Sequence, residues 1–168
     1  MRTMRLFLLV VCALALASSA LAQTKISGTL DCNKADPSYA IPIPDREGYA
    51  FAVNQNKCTW SKGFSIQGLQ PTEFINTPFL EMEGASGRST AAGVNRFDNG
   101  DKTYSRSTGI SDLKASTVSG KWTYTGGTGK LSGIKGGGTY TCKMKSAETG
   151  AGYTCEVVGE YTLPAAKK

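Results

Sequence analysis

The feature that most constrains this chain is a period-two alternation of apolar and polar residues, broken repeatedly by turns rich in Gly, Asn, Asp and Pro, with no long amphipathic helical pattern after the first 22 residues. It is clearest near the C-terminus. There Tyr140, Cys142 and Met144 share one face against Thr139, Thr141, Lys143 and Lys145, and Tyr153, Cys155, Val157 and Tyr161 oppose Thr154, Glu156, Glu160 and Thr162. Such segments are strands with one apolar and one wetted face. Centring their connection on Glu148-Thr149 sets Cys142 opposite Cys155, within reach of a disulfide.

Further strands are expected at Lys25 to Asp31, Gly48 to Val53, Cys58 to Gly68, Phe79 to Gly84 and Thr117 to Thr125. Asp98-Asn99-Gly100-Asp101 reads as a type I′ hairpin turn, which pairs Phe97 with Lys102, Asn95 with Tyr104, and Gly93 with Arg106. The total is about eight strands. A set of that size can split into a sandwich or close on itself. Gly28, Gly84, Gly93, Gly109, Gly120 and Gly133, within or beside strands, favour closure, because glycine marks bends and close backbone approach at barrel corners. The expected fold is all-β: a single closed antiparallel barrel. The stretch Asn33 to Glu47, with Pro37, Pro42 and Pro44, cannot be a central strand and reads as a loop over one barrel mouth, as a binding lid or a structural cover.

The leading residues read as an address. Arg2 and Arg5 precede the apolar Leu6 to Leu16, and Ala20-Leu21-Ala22 offers a cleavage site before Gln23. The division expected is residues 1–22 as a signal peptide and 23–168 as one β-barrel domain, secreted or periplasmic, with no membrane association after cleavage. Removing Arg2 and Arg5 lowers the 19 basic residues to 17 against 13 acidic, a net +4. The lysines and arginines are scattered, so a nucleic-acid partner is not expected. Cys32, Cys58, Cys142 and Cys155 remain after cleavage, an even count that reads as two disulfides in an exported chain. With Cys142 joined to Cys155, Cys32 pairs with Cys58, although sequence alone leaves the other connectivities open.

The chain contains no histidine, which removes the Ser-His-Asp triad, the Cys-His pair and histidine-bound metals. Zinc spacings are missing, so no metal is expected. Glu81 and Glu83 oppose Leu80 and Met82 and read as solvent-facing. Gly126 to Lys130 lacks the Ser or Thr and the leading glycine of a phosphate loop and reads as a turn. The polar residue of most interest is Arg106. In the expected register it shares an inward face with Tyr104, near Asn95 and Trp122, and would anchor a ligand carboxylate, with Tyr124 and Tyr140 adding aromatic walls. The competing reading has Arg106 spanning a glycine gap to reach water or a buried acid.

The segment Thr125 to Tyr140, TGGTGKLSGIKGGGTY, with KISGTL at Lys25, NKCTW at Asn56, the Asp98 to Asp101 turn and the closing VVGEYTL, resembles allene oxide cyclase-like and dirigent-like barrels, and within that class small bacterial exported proteins. The resemblance implies an eight-stranded barrel with an internal cavity, no metal or organic cofactor and, by analogy with trimeric plant members, a homo-oligomer. It assigns no functional residues. The leading expectation is a binding module for a small hydrophobic or amphipathic molecule. The alternatives are a cofactor-free isomerase or cyclase of the allene oxide cyclase type, and a filled barrel acting through its surface.

Overall fold

The computed structural model describes residues 23–146 and 151–164, so the expected signal peptide lies outside the described residues. Ten strands run in chain order: β1 (Thr24–Asn33), β2 (Ser38–Pro42), β3 (Tyr49–Asn54), β4 (Asn56–Lys62), β5 (Pro71–Glu83), β6 (Ser86–Phe97), β7 (Lys102–Asp112), β8 (Thr117–Gly127), β9 (Lys135–Lys145) and β10 (Gly152–Thr162). Eight of them close a ring in the order β5-β4-β1-β10-β9-β8-β7-β6, with β6 returning to β5, and every neighbouring pair is antiparallel. Closure leaves the ring no open edge.

Beyond one rim the barrel continues as a three-stranded flap. The first half of β5 pairs with β4 through Phe74 to Asn76, and its second half pairs with β3 through Phe79 to Glu83. Thr77 and Pro78 lie at the seam, facing neither strand, and a proline there forfeits no bond on that edge. Gln55 separates β3 from β4 at the same level and exchanges backbone hydrogen bonds with Asp36 and Pro37. The Asn33 to Glu47 stretch therefore holds an edge strand, β2, where the sequence suggested a loop. Its prolines keep it at the edge of the flap, and Ala40 of β2 opposes Ala52 of β3.

Both disulfides join directly opposed residues of neighbouring strands, Cys32 with Cys58 and Cys142 with Cys155. The register deduced for the C-terminal hairpin is the one found, because two disulfide partners and an apolar face all demand it.

The Asn-Gly hairpin differs from its expectation. The Phe97 N–H donates to the Asp101 carbonyl at 2.9 Å, and the Gly100 N–H donates to the Phe97 carbonyl at 2.9 Å. The loop thus has three residues, Asp98 to Gly100, with Gly100 alone at positive φ, +86°. A type I turn followed by a left-handed glycine suits that loop length as well as a type I′ turn suits a two-residue one. The register moves by one: Arg96 faces Lys102, Asn95 faces Thr103, Gly93 faces Ser105, and Arg106 faces Ala92. A one-residue slip exchanges the two faces of a strand.

One end of the barrel is sealed. β4 stops at Lys62, short of the expected Gly68, and the following segment folds Phe64, Ile66 and Leu69 under the barrel against Ile26, Phe97, Leu131, Ile134 and Tyr161. Ile66 and Leu131 are wholly buried in this plug. A second apolar cluster, centred on Leu30 and the four half-cystines, lines the middle of the wall.

Candidate functional site

Above the plug the barrel is open. A cavity of about 440 Å³ runs from Trp60, Asn95, Trp122 and Tyr124 at its floor to Lys34, Asn54 and Gly152 at the far rim. A volume of this size holds one small organic molecule.

The cavity exists because bulky rings lie along the wall instead of across it. Four of them, Trp60, Phe74, Trp122 and Tyr140, do so over a glycine of a nearby strand. A methyl group at Gly28 would stand 2.8 Å from Trp60 Cζ3, one at Gly93 2.6 Å from Phe74 Cε2, one at Gly120 2.7 Å from the Tyr140 hydroxyl, and one at Gly159 2.5 Å from Trp122 Cζ2. Glycines that look like weak points in the strands are the seats of the cavity's aromatic side chains.

Polar groups on the wall are held in pairs. Trp60 Nε1 donates to Asn95 Oδ1 at 3.0 Å, and Asn76 Nδ2 donates to the Tyr153 hydroxyl at 3.3 Å. The Tyr140 hydroxyl donates to the Thr108 carbonyl at 3.4 Å and meets the Ser89 and Ser107 side chains. Burial pushes the phenols of Tyr124, Tyr140 and Tyr153 above their ordinary range, so all three stay protonated at neutral pH. The Trp122 indole N–H is itself buried and meets no acceptor among the described residues, so it remains an unpaired donor.

Among the described residues, the only charged side chains lining the cavity are Lys34 and Lys145, both at the rim, and Lys145 is ion-paired with Asp31. No carboxylate lines it among the described residues. Nor does any group of three or more Cys, Asp or Glu there stand together as a metal site.

The structure brings together Asn95, Trp122, Tyr124 and Tyr140 of the residues singled out in the sequence, all on the cavity wall. It separates Arg106 and Tyr104 from them. Arg106 is exposed on the outer surface between Ala92 and Thr123, and Tyr104, 38% exposed, lies outside as well. The cause is the hairpin register. With three residues in the turn, the inward residues of β7 are Ser105, Ser107 and Ser111, the face that the two-residue turn had set outside. Leu80 and Met82 line the cavity, as their alternation with Glu81 and Glu83 required. Glu81 meets the Tyr49 hydroxyl on the flap's outer face, and that hydrogen bond raises the Tyr49 pKa.

Sequence reasoning missed Trp60, Phe74, Asn76, Tyr153 and the β7 serines as cavity residues. The signal for Tyr153 was present in its shared phase with Cys155; β5 carried a weaker one, because Pro71 and Pro78 obscure a strand that starts eight residues before Phe79.

No protein-family profile matches the sequence, and no curated protein matches it. Solved structures similar to this chain include two dirigent proteins. The pterocarpan synthase dirigent protein GePTS1 has a TM-score of 0.48 at 11% identity, covering 85% of this chain and 89% of that chain. The pterocarpan synthase dirigent protein PsPTS1 has a TM-score of 0.47 at 11% identity, covering 86% of this chain and 97% of that chain.

Proposed function

We propose that this protein is an exported binding module that holds a small hydrophobic or amphipathic molecule inside its barrel. The observation that carries the reading is the cavity itself: about 440 Å³, sealed at one end by the Ile66 and Leu131 plug, and walled by aromatic and aliphatic side chains. An open lumen of this kind supports binding over a filled barrel acting only through its surface. It also favours binding over isomerisation. Acid–base chemistry calls for a group whose pKa lies near the working pH, whereas the ionisable side chains deep in this cavity are phenols driven further from neutrality. The two disulfides suit an oxidising compartment, in keeping with secretion or a periplasmic location.

The test is a fluorescence titration with the neutral apolar dye N-phenyl-1-naphthylamine. The unmodified protein should bind one dye with enhanced emission. Ala91, buried at 5% exposure on the cavity wall, gives the control: Ala91→Trp projects an indole into the lumen, and it should abolish binding while the far-ultraviolet β signature is retained. Dye binding that survives Ala91→Trp would locate the site elsewhere and overturn the proposal.

A further inference from the structure

The two sides of the cavity differ in chemistry. From β6 and β7 the cavity is lined by Ser89, Ala91 and Asn95, and by Ser105, Ser107 and Ser111, with Gly93 and Gly109 between them, so no side chain lining it there is both large and apolar; Phe97, also turned inward on β6, belongs to the plug below. Four places round the ring, β1 and β10 face them with Leu30, Cys32, Tyr153 and Val157. A hydroxyl-bearing wall thus looks across the lumen at an aliphatic and aromatic one.

Two of these hydroxyls are engaged within the fold and two are not. Ser89 and Ser107 meet the Tyr140 hydroxyl. Ser105 and Ser111 make no side-chain hydrogen bond among the described residues. Ser105 and Ser107 are two residues apart on one strand, which spaces their hydroxyls about 7 Å apart along the barrel. The charged lining residues stand only at the rim.

Resting on the binding function proposed above, we infer that the ligand is uncharged and facially amphipathic: a rigid molecule with hydroxyl or carbonyl oxygens along one side and hydrocarbon along the other. Its oxygens lie on the β7 serines, with Ser105 and Ser111 each free to donate or accept. Its hydrocarbon side lies on Leu30, Val157 and Tyr153. This replaces the acid-binding role that the sequence suggested through Arg106, since among the described residues no cation stands in the depth of the cavity to meet a carboxylate.

The experiment displaces N-phenyl-1-naphthylamine with a series of steroid esters that differ in hydroxyls on one face: methyl cholate with three, methyl deoxycholate with two and methyl lithocholate with one. Affinity should rise with hydroxyl number, on the order of tenfold from one to three, the combined worth of two modest hydrogen bonds. Cholate itself should bind no better than its methyl ester. In Ser105→Ala/Ser107→Ala/Ser111→Ala the advantage of the trihydroxy ester should collapse. Should the triple variant fold poorly, Ser105→Ala alone, which breaks no internal bond, should still shrink it several-fold. Equal affinities across the series, an advantage that survives the serine substitutions, or a preference for the free acid would each overturn the inference while leaving cavity binding intact. Failure of the dye to bind at all would instead overturn the binding function on which it rests.

Discussion

Gly93→Ala probes the device that keeps the lumen open. A methyl group at this position would lie 2.6 Å from Phe74 Cε2 and 2.6 Å from Ser105 Oγ, about 0.8 Å inside the nearest comfortable contact distance of 3.4 Å. The Ser105 hydroxyl can rotate away. The Phe74 ring cannot yield without leaving the wall, because it packs against the Leu30 and half-cystine cluster behind it. Overpacking of this kind costs about 1 to 3 kcal/mol, and the intrinsic gain of alanine over glycine in a strand, about 0.5 to 1 kcal/mol, offsets part of it. A net loss centred on about 1 kcal/mol, and at most about 2.5 kcal/mol, follows. Phe74→Leu removes the colliding atoms at a cost of about 1 kcal/mol of its own. In the double variant the clash is absent, so the losses should fall short of their sum by about 1 kcal/mol. Urea denaturation of the wild type, both single variants and the double variant measures this directly. The dye should also bind the Gly93→Ala variant several-fold more weakly, as the displaced ring enters the lumen. Strictly additive losses, or a Gly93→Ala variant more stable than wild type, would refute the claim that glycine seats the ring.

The remaining predictions concern the staples, the turn and the two polar residues outside the cavity. Replacing Cys142 and Cys155 together by alanine should cost about 2 to 4 kcal/mol in urea denaturation, since the bond closes a separation of 13 residues, and circular dichroism should show the same β content. Gly100→Val should lower the melting temperature by several degrees, because Gly100 holds φ at +86° in the three-residue turn. Asp101 accepts from Asn99 Nδ2 at 2.7 Å and from the Lys130 N–H at 3.0 Å, and these bonds hold its pKa below the usual carboxylate range, the Asn99 bond foremost. Its contribution is therefore complete above the ordinary aspartate pKa and lost as pH falls through the lowered one, so Asp101→Asn should flatten the acid limb of a urea-midpoint profile. Arg106→Met should leave dye affinity within a factor of two of wild type, and a large loss would return Arg106 to the interior.

The all-β class, both disulfides and the C-terminal register were legible because each rests on side chains that must face the core together, and the closed ring was legible from glycines placed where strands bend or approach closely. Tyr140, Cys142, Cys155 and Val157 allow one phase only. The phase of β7 was not legible. Tyr104 and Arg106 alternate with the small hydroxyl residues Thr103, Ser105 and Ser107, neither set is a run of apolar side chains, and a single residue in the Asp98 to Gly100 turn decides which face enters the barrel. A serine-lined wall gives no apolar signal with which to correct that choice. The flap's edge strand was hidden for a related reason: β2 has both faces exposed, so burial imposes no alternation on Ser38 to Pro42.

The most direct test of interior binding is amide chemical-shift mapping of the isotopically labelled protein titrated with N-phenyl-1-naphthylamine. Ala91, Asn95, Ser105, Ser107 and Tyr140, whose side chains line the cavity, should shift together and saturate at one dye per chain. Arg106, Lys121 and Thr139, which sit on the outer surface of the same barrel wall, should move far less. Shifts confined to the outer surface or to the exposed flap residues Tyr39 and Ile41, with the cavity set unmoved, would contradict the account.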